Sequence, residues 1–111
     1  NQVMAAFKMS RANEGEKVER SLAIQAAFRH AAEVPLSVMG CCLHLMDLAL
    51  DIAECSNPNC TSDLGVAVET AFAGLNGALM NVRINLPSIQ DEEFVENANT
   101  KASTILDRYY G

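Results

Sequence analysis

The sequence predicts an all-α protein, an antiparallel bundle of about five helices in a single domain spanning residues 1–111. Three observations carry this. Apolar residues recur at helical spacing, alternating strand patterns and repeats are absent, and the proline and asparagine punctuation falls only where one helix would hand over to the next. The chain is 50% hydrophobic but only 5% aromatic, so Ala, Leu, Val and Met must fill the core, which favours close helix-on-helix packing. A domain of this length buries about 65% of the surface its unfolded chain exposes, enough for a core of its own.

The elements follow in order. Residues 1 to about 8 read as the end of a helix, because Val3, Met4, Phe7 and Lys8 fit one amphipathic turn with no start signal before it. Asn13, with Glu16 three residues later, makes a capping-box start for a second helix running to about Glu33. Pro35 is expected to break it, since proline disfavours helix at the residue before it and suits a first turn; a third helix then covers residues 36–54. Asn57-Pro58-Asn59 is the clearest loop, after which Thr61 or Ser62 can cap a long fourth helix ending at Asn85 or Leu86. Gly65, Gly74 and Gly77 lie in that helix. Because a helical glycine costs about 1 kcal/mol relative to alanine, they point to another backbone approaching closely. Pro87 ends it, and Ser88 with Asp91 offers a box for a last, more polar helix to about Tyr109.

Charge and cysteines narrow the partners. Fourteen acidic against eight basic residues give a net charge of −6, which opposes binding to a phosphate backbone, so nucleic acid is not an expected partner. No run approaches eighteen consecutive apolar residues and no signal peptide opens the chain, so a cytoplasmic protein without a membrane partner is expected. Cys41 and Cys42 sit in an apolar run that suits small buried thiols. Cys55 and Cys60 bracket a turn and offer a small disulfide or two zinc ligands. A zinc site needs about four ligands, and His30 and His44 have no regular spacing to this pair, so no metal site is assigned.

The polar residues placed within apolar helical sequence carry the most information, because each costs stability unless partnered. At 100° per residue, Asp63, Asn81 and Asn85 project from nearly one face of the fourth helix, yet Asp63 and Asn81 are about 27 Å apart along its axis. One chain cannot bring both to a small ligand. Two such helices paired antiparallel about a two-fold axis would, giving two equivalent sites in a homodimer.

These residues also carry a resemblance. Asn57-Pro58-Asn59, Ser62-Asp63, Val66-Ala67 and the run Asn81-Val82-Arg83-Ile84-Asn85-Leu86 resemble the cyclodeaminase/cyclohydrolase domain of folate metabolism, as found in formiminotransferase-cyclodeaminase and stand-alone methenyltetrahydrofolate cyclohydrolases. The resemblance extends upstream through Ala6-Phe7-Lys8, residues 16–20 and Glu33-Val34-Pro35-Leu36, covering roughly residues 1–97. It implies a helical dimer with a tetrahydrofolate derivative as substrate near the subunit interface and no separate cofactor. It implies chemistry at the carbon between N5 and N10: cyclodeamination, with expulsion of ammonia, or cyclohydrolysis. Asp63 is the candidate catalytic residue; Asn57, Asn59, Ser62, Asn81, Arg83, Asn85, Lys8 and Arg20 are the candidate substrate-binding residues. Such proteins carry a preceding half with a Pro-Gly-Gly-Gly-Ser type segment that this sequence lacks, so the chain is expected to be missing its N-terminal part.

Plainer roles stand beside these. Asp63 at a helix start meets unpaired N–H groups and the positive end of the dipole. Asn81 and Asn85 can fix helix register, Arg83 suits the surface, and Lys8, Arg11, Lys17 and Arg20 suit a solvated charged face. The competing function is a non-catalytic helical dimer or scaffold, and a weaker one is a bundle binding metal through Cys55 and Cys60.

Overall fold

The structure, a computed structural model, describes residues 1–55 and 57–110. They form four α-helices and no strand: α1 (Gln2–Phe7), α2 (Glu14–Cys55), α3 (Thr61–Asn85) and α4 (Glu92–Tyr110), with 3-10 turns at Pro58–Cys60 and Leu86–Ser88. The all-α expectation is met with one helix fewer, because the expected second and third helices are a single 42-residue helix with Pro35 inside it.

α1 is short and starts locally. Asn1 Oδ1 accepts from the Met4 amide at 2.8 Å, a side-chain cap that the sequence reading did not identify. Its far end is held by α2: Arg20 Nε donates to the Phe7 carbonyl at 3.3 Å while its guanidinium lies 5.5 Å from the Phe7 ring centroid, and Phe7 meets Phe28 edge-on. The start of α2 matches the expected box. Asn13 Oδ1 accepts from the Glu16 amide, and Glu16 Oε2 reaches back to the Ala12 amide and the Ser10 hydroxyl.

α2 sets the dimensions. Forty-two residues at 1.5 Å per residue span about 63 Å, and the molecule measures 67 × 24 × 16 Å. α3 runs back along it and α4 returns parallel to it, as Arg29 opposite Asp91 and Asp47 opposite Arg108 show. Ala32, Leu36, Met39 and Cys42 of α2 pack with Leu75, Ala78, Leu79 and Val82 of α3 and Ala98 and Ala102 of α4 in one buried cluster. Met39, Leu75 and Val82 are fully buried. Ala, Leu and Met do supply the core, as the composition required.

Details at the junctions differ from expectation. Neither Thr61 nor Ser62 caps α3: a 3-10 turn started by Pro58 feeds straight into it, and the Thr61 hydroxyl donates back to the Pro58 carbonyl. Asp91 caps α4 alone by accepting from the Phe94 amide. Cys41 is exposed and only Cys42 is buried, which displaces the pair of buried thiols. Cys60 is a free, exposed thiol, so the alternative of a small disulfide at this turn is not met.

The surface is larger than a compact chain of this mass requires. The accessible area is 7437 Å², against about 6,000 Å² expected for a folded monomer of 12.0 kDa. The radius of gyration is 18.8 Å, against roughly 13 Å for a globule of this length. Val34, Val38, Leu45, Leu48 and Ile52 of α2 and Val66, Met80 and Ile84 of α3 are exposed. One helix, over Glu14–Glu54, is long and apolar enough to cross a membrane by length and composition, although its apolar residues are interrupted by polar ones. The same composition suits a helix that packs along its whole length against protein.

Candidate functional site

The continuity of α2 through Pro35 is the local fact that shapes the site. A proline within a helix offers no N–H to the carbonyl four residues back, and its ring crowds that carbonyl. Here the carbonyl is that of Ala31. Asn85, at the end of α3, donates Nδ2 to it at 3.3 Å and to the Asn81 carbonyl at 2.8 Å. The side chain of a neighbouring helix therefore supplies the bond that Pro35 withholds. This is why the expected break at Pro35 does not occur.

Beside this contact lies a groove of about 550 Å³ between α2 and α3. Ala31, Val34, Pro35 and Val38 form one wall; Gly74, Gly77, Ala78, Asn81 and Asn85 form the other. The glycines play different parts. A Cβ at Gly74 would lie 3.0 Å from Cys42 Sγ, so α3 approaches α2 closely there, whereas at Gly65 and Gly77 a Cβ would meet nothing within 4 Å. Close approach within the chain thus explains one of the three glycines, and Gly77 instead widens the groove. The Asn81 side chain is exposed and makes no hydrogen bond among the described residues, so two amides stand at one end of an otherwise apolar slot. Two further open grooves, of about 650 and 830 Å³, flank α4 and are lined by none of the candidate catalytic or substrate-binding residues.

The remaining candidates divide between the two ends of the rod. Lys8 follows α1, and Arg20 lies on the N-terminal half of α2, the half that reaches Asn85 through Ala31. Arg20 is engaged with Phe7, which gives it a structural task, and Lys8 is exposed. Arg83 is exposed beside Asn81 and Asn85. At the other end, Asn57 Oδ1 is taken up by the Asn59 amide and starts the 3-10 turn, while Asn59, Ser62 and Asp63 are exposed. α3 is unbroken from Thr61 to Asn85, so Asp63 and Asn81 stand about 27 Å apart within one chain. Ala31, Val34, Pro35 and Val38, which the sequence reading did not select as site residues, complete the groove. The signal for them was the orphaned carbonyl that any mid-helix proline creates.

Comparison with known proteins supplies the context for this geometry. The formiminotransferase-cyclodeaminase family profile matches residues 1–104. The chain is 40% identical over 94 residues to a methenyltetrahydrofolate cyclohydrolase of Methylorubrum extorquens, covering 85% of this chain and 45% of that protein. It is 33% identical over 103 residues to the formimidoyltransferase-cyclodeaminase of Rattus norvegicus, covering 93% of this chain and 19% of that one. With the protein of that name from Dictyostelium discoideum it shares 35% identity over 88 residues. The chain spans about half the length of the bacterial relative and about a fifth of the rat one.

Proposed function

The chain belongs to the formiminotransferase-cyclodeaminase family, and from that premise we propose that the protein acts in folate one-carbon metabolism on a tetrahydrofolate derivative, at the carbon bridging N5 and N10. In cyclodeamination N10 attacks the formimino carbon, a tetrahedral centre forms, and ammonia leaves to give the methenyl compound. In cyclohydrolysis water attacks the methenyl carbon and the ring opens to a formyl product. Both need a group that moves a proton and groups that stabilise cationic character near the two nitrogens. Asp63 is the proton-transfer group in this reading, and Asn81, Asn85 and Arg83 orient the substrate.

The observation that carries the reading is the placement of amides in an apolar groove of ligand size at one end of α3, with an exposed carboxylate at the other. A two-fold pairing of α3 with α3 of a second copy unites them. An antiparallel pairing that sets residue 63 opposite residues 81–85 centres on residues 72–74. Ala73 sits there, and it shares an exposed helical stripe with Val66, Gly77, Met80 and Ile84. The excess surface of about 1,400 Å² is ample for the roughly 800 Å² per partner of a standard interface. The exposed apolar stripe also suits assembly without chemistry, the scaffold alternative.

Mixed dimers separate the two. In the full-length protein, a subunit with Asp63→Asn and one with Asn81→Ala together rebuild one intact site, so mixing two inactive variants should restore up to about half of the activity of one wild-type dimer's two sites, diluted by self-pairing. Folded, dimeric mixtures with no recovered activity would rule out the shared site.

A further inference from the structure

Both N–H donors of the Asn85 amide are committed within the protein, one to the Ala31 carbonyl and one to the Asn81 carbonyl. Its Oδ1 has no partner among the described residues, and because no unpartnered side-chain oxygen or nitrogen is buried among them, that oxygen stays accessible at the half-buried end of the groove. An asparagine normally offers a ligand a donor or an acceptor by flipping its amide. Asn85 cannot flip without facing two carbonyls with its own oxygen and leaving the Ala31 carbonyl without a partner, which Pro35 makes unavoidable.

We infer that Asn85 is a specificity-determining residue that reads the ligand as a fixed acceptor, so that the groove takes the edge of a planar heterocycle bearing an N–H or NH2 donor. This rests on the folate reading, and within it assigns the 2-amino, N3–H edge of the pterin to the groove. Apolar walls from Val34, Pro35 and Val38 suit the faces of such a ring, and Gly77 leaves the space for it. Asn81, whose amide is free to turn, imposes no such preference.

The test compares two probes on the full-length protein by titration calorimetry: 5-formyltetrahydrofolate, and an analogue identical except that methyl replaces the pteridine 2-amino group. The wild type should prefer the amino compound by about tenfold, the worth of one well-made hydrogen bond. Asn85→Leu should bind both equally. Because that substitution also strips the Ala31 carbonyl of its partner, it is repeated in a Pro35→Ala background, where residue 35 regains its N–H. There Asn85→Leu should cost much less thermal stability than in the wild type and should still abolish the preference shown by Pro35→Ala alone. An undiminished preference in the double variant overturns the assignment of Asn85 while leaving folate binding in place. An equal loss of melting temperature in both backgrounds overturns the link to Pro35. A wild-type protein that binds neither probe overturns the folate reading and this inference together.

Discussion

Gln25 clasps the turn between α3 and α4 from both sides: its Nε2 donates to the Ser88 carbonyl at 3.1 Å and its Oε1 accepts from the Gln90 amide at 2.7 Å. Those are two backbone groups in the segment linking the helices, tied by one side chain of α2. Pro87 leaves the turn one fewer backbone donor of its own. Replacing Gln25 with Leu keeps the bulk and removes both bonds, so it should cost about 1–3 kcal/mol, two bonds at roughly 1 kcal/mol each. Urea unfolding checks this; a midpoint within error of the wild type would show that water replaces the clasp without loss.

Gly74 and Gly77 should respond in opposite directions. Alanine at Gly74 presses a methyl group against Cys42 Sγ at 3.0 Å, and overpacking of this kind costs about 1–3 kcal/mol, partly offset by helix propensity. Alanine at Gly77 meets nothing within the chain and should raise the stability of the fold by up to about 1 kcal/mol. Where Gly77 gives room to a ligand or a second copy, the same change should weaken that binding. Denaturation with parallel sedimentation measures both; equal shifts for the two substitutions would contradict the packing described.

Arg20 holds α1 by one hydrogen bond and one cation–π contact. A lysine keeps the charge but has neither the Nε geometry nor the planar stack. Arg20→Lys should therefore loosen residues 2–8 while leaving α2 to α4 intact, visible as faster amide exchange confined to α1. Unchanged protection there, with weaker folate binding, would instead mark Arg20 as a ligand contact.

The start of α2 should be acid-sensitive. The Ser10 hydroxyl first, then the Ala12 amide, hold the Glu16 carboxyl below its usual range, against a small opposing effect of burial. A depressed carboxylate pKa adds stability that is fully present above the unfolded value near 4.5 and is lost as pH falls through the lower folded value. Wild type and Glu16→Gln should thus differ in protection of residues 10–16 at neutral pH and converge in acid below that folded value. A difference that persists to the lowest pH would locate the effect in something other than this carboxylate.

Much of this was legible in the sequence, and the misses share a cause. The box at Asn13 and Glu16, the loop at Asn57-Pro58-Asn59 and the end of α3 before Pro87 rest on residues within a few positions of one another, and local rules place them well. Pro35 escapes the local rule because its missing hydrogen bond is restored by Asn85, 50 residues later in the chain. Cys41 departs from the expectation because a 42-residue helix with apolar residues on several sides has more faces than the other described helices cover. Within the site, the shared face of Asp63, Asn81 and Asn85 followed from helix periodicity. The groove did not, since it is defined by what α2 presents to α3.

The long hairpin of α2 and α3 also imposes an order of assembly. Contacts along it join residues ever further apart in the chain: Cys42 to Gly74 near the middle, then Ala31 to Asn85, then Gln25 to Ser88. Loop-closure entropy rises with each step, by about 0.6 kcal/mol per doubling of separation. Folding is therefore expected to zip outward from the Pro58 turn, with the end that carries Asn85 closing late. Substitutions at Gln25 and Asn85 should then accelerate unfolding and hardly slow folding, giving φ-values near zero, whereas those near Gly74 should give higher ones. Uniformly high values at the Asn85 end would reverse that order. Under the late-closing order, the ligand groove opens from its Asn85 end while its Gly74 end is still closed.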